Sequence, residues 1–217
     1  MNRLQTELQR LYHSPEAGRA RALVLELARP ASWASLAPVW RGVQADLELP
    51  APAIAVSGSD GYQLWFSLAE PAPADQAIAL LEALRKRYLG DIAQDRIGLN
   101  ARGVVAPPIE RTPGRWSAFV APDLPALFED EPWLDLPPGA DAQADLLSRL
   151  ASIKPGALKR AWELLAPGEA PQPAPAGDGV DPRGFLLGIM NDRTIDLHLR
   201  IDAAKALLPY FEGARPL

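Results

Sequence analysis

Residues 53–68 have the sequence Ala53-Ile54-Ala55-Val56-Ser57-Gly58-Ser59-Asp60-Gly61-Tyr62-Gln63-Leu64-Trp65-Phe66-Ser67-Leu68, and this stretch decides the fold. Two β-prone runs, 53–56 and 62–68, flank a short loop that carries two glycines. This arrangement predicts a β-hairpin. Such a loop also lets backbone N–H groups approach a phosphate without obstruction by Cβ atoms, although a plain hairpin turn explains the same pattern.

Helical and strand patterns alternate on both sides of the hairpin. Before it, apolar spacing predicts a helix at 3–12, a buried strand at 22–27 and a helix from Ser32 or Ser35 to about Leu47. After it follow a helix opened by Pro73 and Asp75, strands near 96–99 and 116–120, and helical patterns at 146–153 and 157–165. Residues 1–165 are therefore predicted to form an α+β domain, in which helices flank a mixed sheet of four or five strands.

The C-terminal part has a different character. Residues 166–180 are rich in Pro, Ala and Gly and predict a linker, and residues 181–217 predict a helical segment with a break near Asn191-Asp192. A segment of that size is too short for a robust core of its own. We expect it either to dock on the main body or to bind a protein partner.

Composition excludes several classes of chemistry. The chain has no cysteine and only two histidines, so disulfides, thiolate zinc sites and thiol nucleophiles are excluded, and a metal would need carboxylates, which favour Mg²⁺ or Mn²⁺. No apolar run is long enough to cross a membrane, which predicts a cytoplasmic protein without a membrane partner. The net charge of −5 means that nucleic-acid contact needs a local basic surface. Arg85-Lys86-Arg87 is a candidate for that surface, although such a run is usually a solvated helix end.

The stretch Ser57-Gly58-Ser59-Asp60-Gly61-Tyr62-Gln63 resembles the second motif of the archaeo-eukaryotic primase, or primase-polymerase, superfamily. That motif is Ser-Gly-x-x-Gly-x-His followed by apolar residues. The order of elements from about Ala20 to Val120 is also similar. The resemblance implies a primase-polymerase core in which the loop residues Ser57, Gly58, Ser59 and Gly61 and the motif position Gln63 contact a nucleotide.

Most of the catalytic positions of that family differ in this chain. In the family, two aspartates on the first strand and a later aspartate hold the divalent metals of nucleotidyl transfer, and the motif histidine contacts the triphosphate. Here Glu26 stands at the first aspartate, Ala28 at the second and Gln63 at the histidine. Asp95 is the best match to the later acid, with Asp91 as a substitute.

These differences imply a degenerate active site. Ala28 has no oxygen for a metal, and two carboxylates hold two divalent ions poorly. We therefore predict a protein that binds nucleotide or nucleic acid in DNA replication, repair or mobile-element metabolism without efficient polymerisation. Any residual activity would be a Mg²⁺- or Mn²⁺-dependent nucleotidyl transfer using Glu26 and Asp95.

Structural explanations stand beside these assignments. Glu26 in an apolar strand requires a partner or a cleft edge, and Asp95 could simply begin a turn. The aromatic side chains at 62, 65 and 66 could stack on a base but are more typical of a core. The alternative function is a non-enzymatic structural or protein-interaction module that retains only the fold.

The C-terminal segment has a resemblance of its own. Residues 181–187, Met190-Asn191-Asp192 and 199–210 are similar to a short helical segment of small-terminase-like phage proteins. The similarity implies a phage or mobile-element setting.

Overall fold

The computed structural model describes residues 2–14 and 18–165, and beyond them only 189–191, 198–201, 204 and 205. The chain divides into two compact units, Met1–Gly168 and Glu169–Leu217. The predicted linker at 166–180 lies outside the described residues. The described residues of the second unit are all helical, and they include Asn191, next to which a break is predicted.

The first unit contains five α-helices and seven strands among its described residues. The helices are α1 Arg3–Tyr12, α2 Trp33–Ala45, α3 Ala74–Tyr88, α4 Ala140–Ser148 and α5 Pro155–Leu165. The strands are β1 Arg19–Ala28, β2 Ala53–Val56, β3 Gly61–Pro73, β4 Ile97–Asn100, β5 Glu110–Thr112, β6 Arg115–Trp116 and β7 Ala118–Val120.

The main sheet has five strands in the order β4-β1-β3-β2-β7, and every neighbouring pair is antiparallel. The elements from β1 to β4 follow the order β-α-β-β-α-β, which is the ferredoxin-like, or split βαβ, arrangement. The predicted α+β class and the hairpin of β2 and β3 are confirmed. A second, two-stranded sheet of β5 and β6 was not predicted.

Strand β1 is apolar because helices cover the sheet on both sides. Leu23, Leu25 and Leu27 belong to a core that also contains the apolar faces of α2 and α3. Ala22 and Val24 belong to a second core, together with residues of α1 and α4. A strand that is buried on both faces has no solvent side, so its sequence shows an unbroken apolar run rather than alternation.

Several boundaries differ from the sequence prediction, since β1 and β3 extend beyond the predicted runs 22–27 and 62–68. The strand predicted at 116–120 is divided at Ser117, whose N–H donates to the Ile109 carbonyl at 2.9 Å while its Oγ accepts from the Ile109 N–H at 2.9 Å. The helix predicted at 146–153 is α4, which begins at Ala140 and ends at Ser148.

Strand β7 lies at the edge of the sheet, and a side chain of α4 bonds to that edge. The Phe119 N–H donates to Gln143 Oε1 at 2.8 Å, and Gln143 Nε2 donates to the Phe119 carbonyl at 2.9 Å. Both residues are buried. The Gln143 amide thus takes the place of one further strand residue and satisfies two backbone groups that water cannot reach.

Among the described residues, no helix is both long enough and apolar enough to cross a bilayer.

Replacement of Gln143 by leucine tests the edge contact. Gln143→Leu keeps the approximate size but leaves the Phe119 N–H and carbonyl unpaired, and each buried unpaired group costs ~1–3 kcal/mol. We expect the free energy of unfolding, measured by urea denaturation, to fall by about 2 kcal/mol or more. Gln9→Leu, at an exposed position of α1, is the control and should change it little. An equal effect of both substitutions would contradict the assignment.

Candidate functional site

Glu26 and Gln63, the positions matched to the first and second family motifs, lie opposite each other on β1 and β3. Gln63 Nε2 donates to Glu26 Oε2 at 3.0 Å, and Trp65 Nε1 donates to Gln63 Oε1 at 2.9 Å. The amide of Gln63 is therefore fixed in one orientation, with its nitrogen toward the carboxylate and its oxygen toward the indole. The structure brings these two sequence-predicted site residues together on the sheet face that carries Val24 and Trp65.

The carboxyl group of Glu26 has a raised pKa. Burial is the largest cause, and the negative charge of Asp60 adds to it. The hydrogen bond from Gln63 and the positive charges of Arg111 and Arg29 act in the opposite direction. The charged form of Glu26 is thus less favourable in the folded protein than in water, although three polar neighbours compensate part of the cost.

The raised pKa predicts how stability depends on pH. The folded protein retains the Glu26 proton at pH values where the unfolded chain has released it. The contribution of protonated Glu26 to folding stability is therefore complete below the ordinary pKa of 4.5, and it is lost as the pH rises through the raised pKa. Glu26→Gln cannot titrate and can still accept a hydrogen bond from Gln63. We expect its free energy of unfolding, relative to the wild type, to increase as the pH rises from about 4 to about 7.

The measurement is urea denaturation at a series of pH values. Glu163→Gln, which removes an exposed carboxylate from α5, is the control and should show a smaller gain. A relative stability of Glu26→Gln that falls as the pH rises would show that the carboxylate form is the favoured one.

The loop of residues 57–61 is bonded internally. The Ser57 Oγ accepts from the N–H groups of Ser59 and Gly61 at 3.1 and 3.0 Å, and the Gly58 N–H donates to the Pro132 carbonyl at 3.0 Å. The Ser57 N–H donates to the Gly61 carbonyl at 2.9 Å. The bonds among Ser57, Ser59 and Gly61 are those of a plain hairpin turn, and the bond to Pro132 joins the loop to a distant part of the chain. Phosphate binding by the loop amides stays a prediction, and it requires these bonds to open.

Gly58 is needed for both its conformation and its small size. Its φ is +80°, in the left-handed region, and a Cβ atom there would lie 2.7 Å from the Ser117 backbone nitrogen and 2.9 Å from Arg111 Cγ. Gly114 has a similar φ of +75°, but its surroundings are open. The loop is therefore packed against the chain that leads into β7.

A matched pair of substitutions separates conformation from packing. Gly114→Ala carries only the left-handed strain, so its free energy of unfolding should fall by about 1 kcal/mol. Gly58→Ala adds a clash with backbone and should cost clearly more in the same urea titration. Equal losses would mean that the packing around Gly58 is not restrictive.

Within the described residues, no hydrogen bond or ion pair joins Asp95 to this pair. Asp95 is exposed, in the short 3₁₀ helix Gln94–Arg96 before β4, and its main-chain carbonyl accepts from Arg29 Nη2 at 2.5 Å. Ala28 is buried at the end of β1. Within the part of the chain that the structure describes, no three His, Cys, Asp or Glu side chains are grouped in a way that could hold a metal ion. Binding of Mg²⁺ or Mn²⁺ by Glu26 and Asp95 stays a prediction.

The basic run Arg85-Lys86-Arg87 lies at the C-terminal end of α3, the helix that packs on the opposite face of the sheet from Glu26. Arg85 pairs with Glu82 at 2.8 Å, and Arg87 Nη1 donates to the Leu164 carbonyl at 2.9 Å. Lys86 is exposed. The structure does not bring this run to the Glu26 side, and nucleic-acid binding through it stays a prediction.

The hairpin aromatic residues are parts of the core. Tyr62, Trp65 and Phe66 are each at most 3% exposed, and the Tyr62 hydroxyl donates to the Pro125 carbonyl at 2.6 Å. Trp65 packs edge-on against Tyr12 and Phe119, with ring centroids 5.3 and 6.0 Å apart. These rings are covered by protein, so in this structure they do not present a surface for stacking on a base.

Sequence reasoning missed the charged neighbours of Glu26. Arg29 immediately follows β1 and Asp60 lies in the loop beside β3, so both could have been found once the register of the two strands was known. Arg111 gives no such signal, because it reaches the site through the unpredicted sheet of β5 and β6.

Comparison of the chain with protein-family models, curated proteins and solved structures gave no significant match.

Proposed function

We propose that this chain is a non-catalytic, primase-polymerase-like protein that binds a nucleotide or nucleic acid in DNA replication, repair or mobile-element metabolism. The observation that supports it is the hydrogen bond between Glu26 and Gln63. These residues come from two motifs separated by a helix and a strand, and both the strand order and the register are required for them to meet. Their meeting beside the 57–61 loop is the geometry that the resemblance implies.

The same contact argues against polymerisation. Both polar ends of the Gln63 amide are already bonded, one to Glu26 and the other to Trp65. An amide of this kind neither carries a positive charge nor transfers a proton. The second metal-binding position is the buried methyl group of Ala28. Binding can survive these changes because it needs only charge and shape complementarity.

Two exposed arginines beside Glu26 are the groups best placed to contact phosphate. Arg29 and Arg111 are both exposed and both act electrostatically on Glu26. Arg96 reinforces this end of β1, since its guanidinium donates to the carbonyls of Ala28 and Pro30. A phosphate backbone would lie across the two exposed guanidinium groups, with the Glu26–Gln63 pair beneath it.

The experiment is fluorescence-anisotropy titration of a labelled single-stranded DNA with the full chain at several salt concentrations. For the double variant Arg29→Gln/Arg111→Gln we expect weaker binding and a shallower dependence of log Kobs on log[salt]. The slope should decrease by about 1.4, because each lost contact to a single strand contributes roughly 0.7. A fluorescent ATP analogue tests nucleotide binding in the same way.

The charge-matched control is Arg41→Gln/Arg149→Gln, which removes two exposed arginines from other parts of the molecule. It should leave the slope close to that of the wild type. If both double variants lose the same affinity, binding is non-specific and the proposal is wrong. A primer-extension assay with Mn²⁺ should give no product, and extension that depends on Glu26 would contradict the non-catalytic assignment.

The second candidate function is a protein-interaction module. Leu127 and Leu136, in the acidic stretch after β7, are 77% and 75% exposed. Two leucines so open within a short segment favour a surface that a partner covers. A chain that binds neither DNA nor nucleotide in the titrations above would support this candidate over the first.

A further inference from the structure

A cavity lies at the other end of β1 from Glu26. It has a volume of about 520 Å³ and is bounded by the start of β1 and by the segment that follows β4. Its lining includes Tyr12, Arg19, Arg21, Arg102 and Val104. Ala22, which lines it, is four residues from Glu26, or about 13 Å along the strand. The cavity is thus separate from the site of the proposed function.

The charge of the lining is positive. Among the described residues, the lining contains three arginines and no acidic residue, in a chain whose net charge is −5. Arg19 and Arg21 are held in place by main-chain carbonyls, since Arg19 donates to Pro71 O and Arg21 Nε donates to Leu68 O at 3.1 Å. Within the described residues, Nε makes the one hydrogen bond of the Arg21 guanidinium. Its two terminal nitrogens remain donors for a ligand.

Arg102 is a cation whose ion pair can be exchanged. It pairs with Asp75 at 2.5 Å, and the two side chains are 67% and 92% exposed. Ion pairs between exposed side chains contribute little free energy because water screens them. A ligand with more than one negative charge would compete effectively with the single carboxylate of Asp75.

Tyr12 adds a neutral donor. Burial strongly raises the pKa of its hydroxyl, so the group stays protonated at all physiological pH values. Tyr12 lines this cavity. The ring is fixed by stacking on Phe119 at 6.0 Å.

From this arrangement we infer that the cavity is a binding site for a phosphate-bearing small molecule, with Arg21 and Arg102 as its main charged contacts and the Tyr12 hydroxyl as a further donor. Guanidinium groups match the planar oxygen pairs of phosphate. A volume of 520 Å³ is in the range of small-molecule sites and leaves room for more than one phosphate group. The inference is independent of the proposed function.

The experiment is isothermal titration calorimetry of the full chain with inorganic pyrophosphate, and in a second arm with ATP. The wild type should bind pyrophosphate at one site. Arg21→Gln and Arg102→Gln should each weaken it at least about tenfold, the loss expected when one charge-assisted hydrogen bond is removed. Arg102 is exposed, so its variant tests the site even if Arg21→Gln folds poorly. Arg41→Gln is the control and should bind like the wild type.

The inference would be overturned by no binding of either ligand by the wild type, by unchanged binding in Arg102→Gln, or by an equal loss in Arg41→Gln. ATP binding that is lost in Arg29→Gln/Arg111→Gln but kept in Arg21→Gln and Arg102→Gln would also overturn it. That last result would support the proposed function, so a failure of this inference can be distinguished from a failure of the proposed function.

Discussion

The structure depends on one constraint, which is that β1 lies inside the sheet with protein on both of its faces. A carboxylate in such a strand must find a partner within the protein, and Glu26 finds it in Gln63, the residue directly opposite on β3. A shift of the pairing by one residue would turn Glu26 toward the leucines of the other core. The polar pair and the apolar residues around it therefore specify the same register, and Trp65 completes the network by satisfying the second end of the amide.

The periodic elements were predictable because their signals are local. Helix α1 and strand β1 follow from apolar spacing alone, and the glycine-bearing loop predicts the hairpin. The division at Ser117 was not predictable, since it depends on pairing with Ile109, a residue in an irregular segment. The small sheet of β5 and β6 has strands of three and two residues, too short for a pattern to show.

The site was predictable only in part, because some of its contacts join residues that are distant in the sequence. Glu26 and Gln63 were found because a resemblance placed them, and the antiparallel pairing of β1 with β3 then joins them. The arginines that lower the cost of the Glu26 charge come from a strand end and from an unpredicted strand. The occupied loop amides could not be foreseen either, because Pro132 reaches Gly58 from a distant part of the chain. Tertiary contacts, which carry no local signature, decide which polar groups are open to a ligand.

The contact of Gln143 with Phe119 also affects how the molecule can assemble. An extended peptide, or a second copy of the chain, could add to the sheet beside β7 only by displacing a side-chain amide that already matches its hydrogen-bonding groups. Assemblies that grow by adding strands are therefore disfavoured at the β7 edge of the sheet. One glutamine on a short helix thus acts as a barrier to aggregation, at a position where the strand alone would invite it.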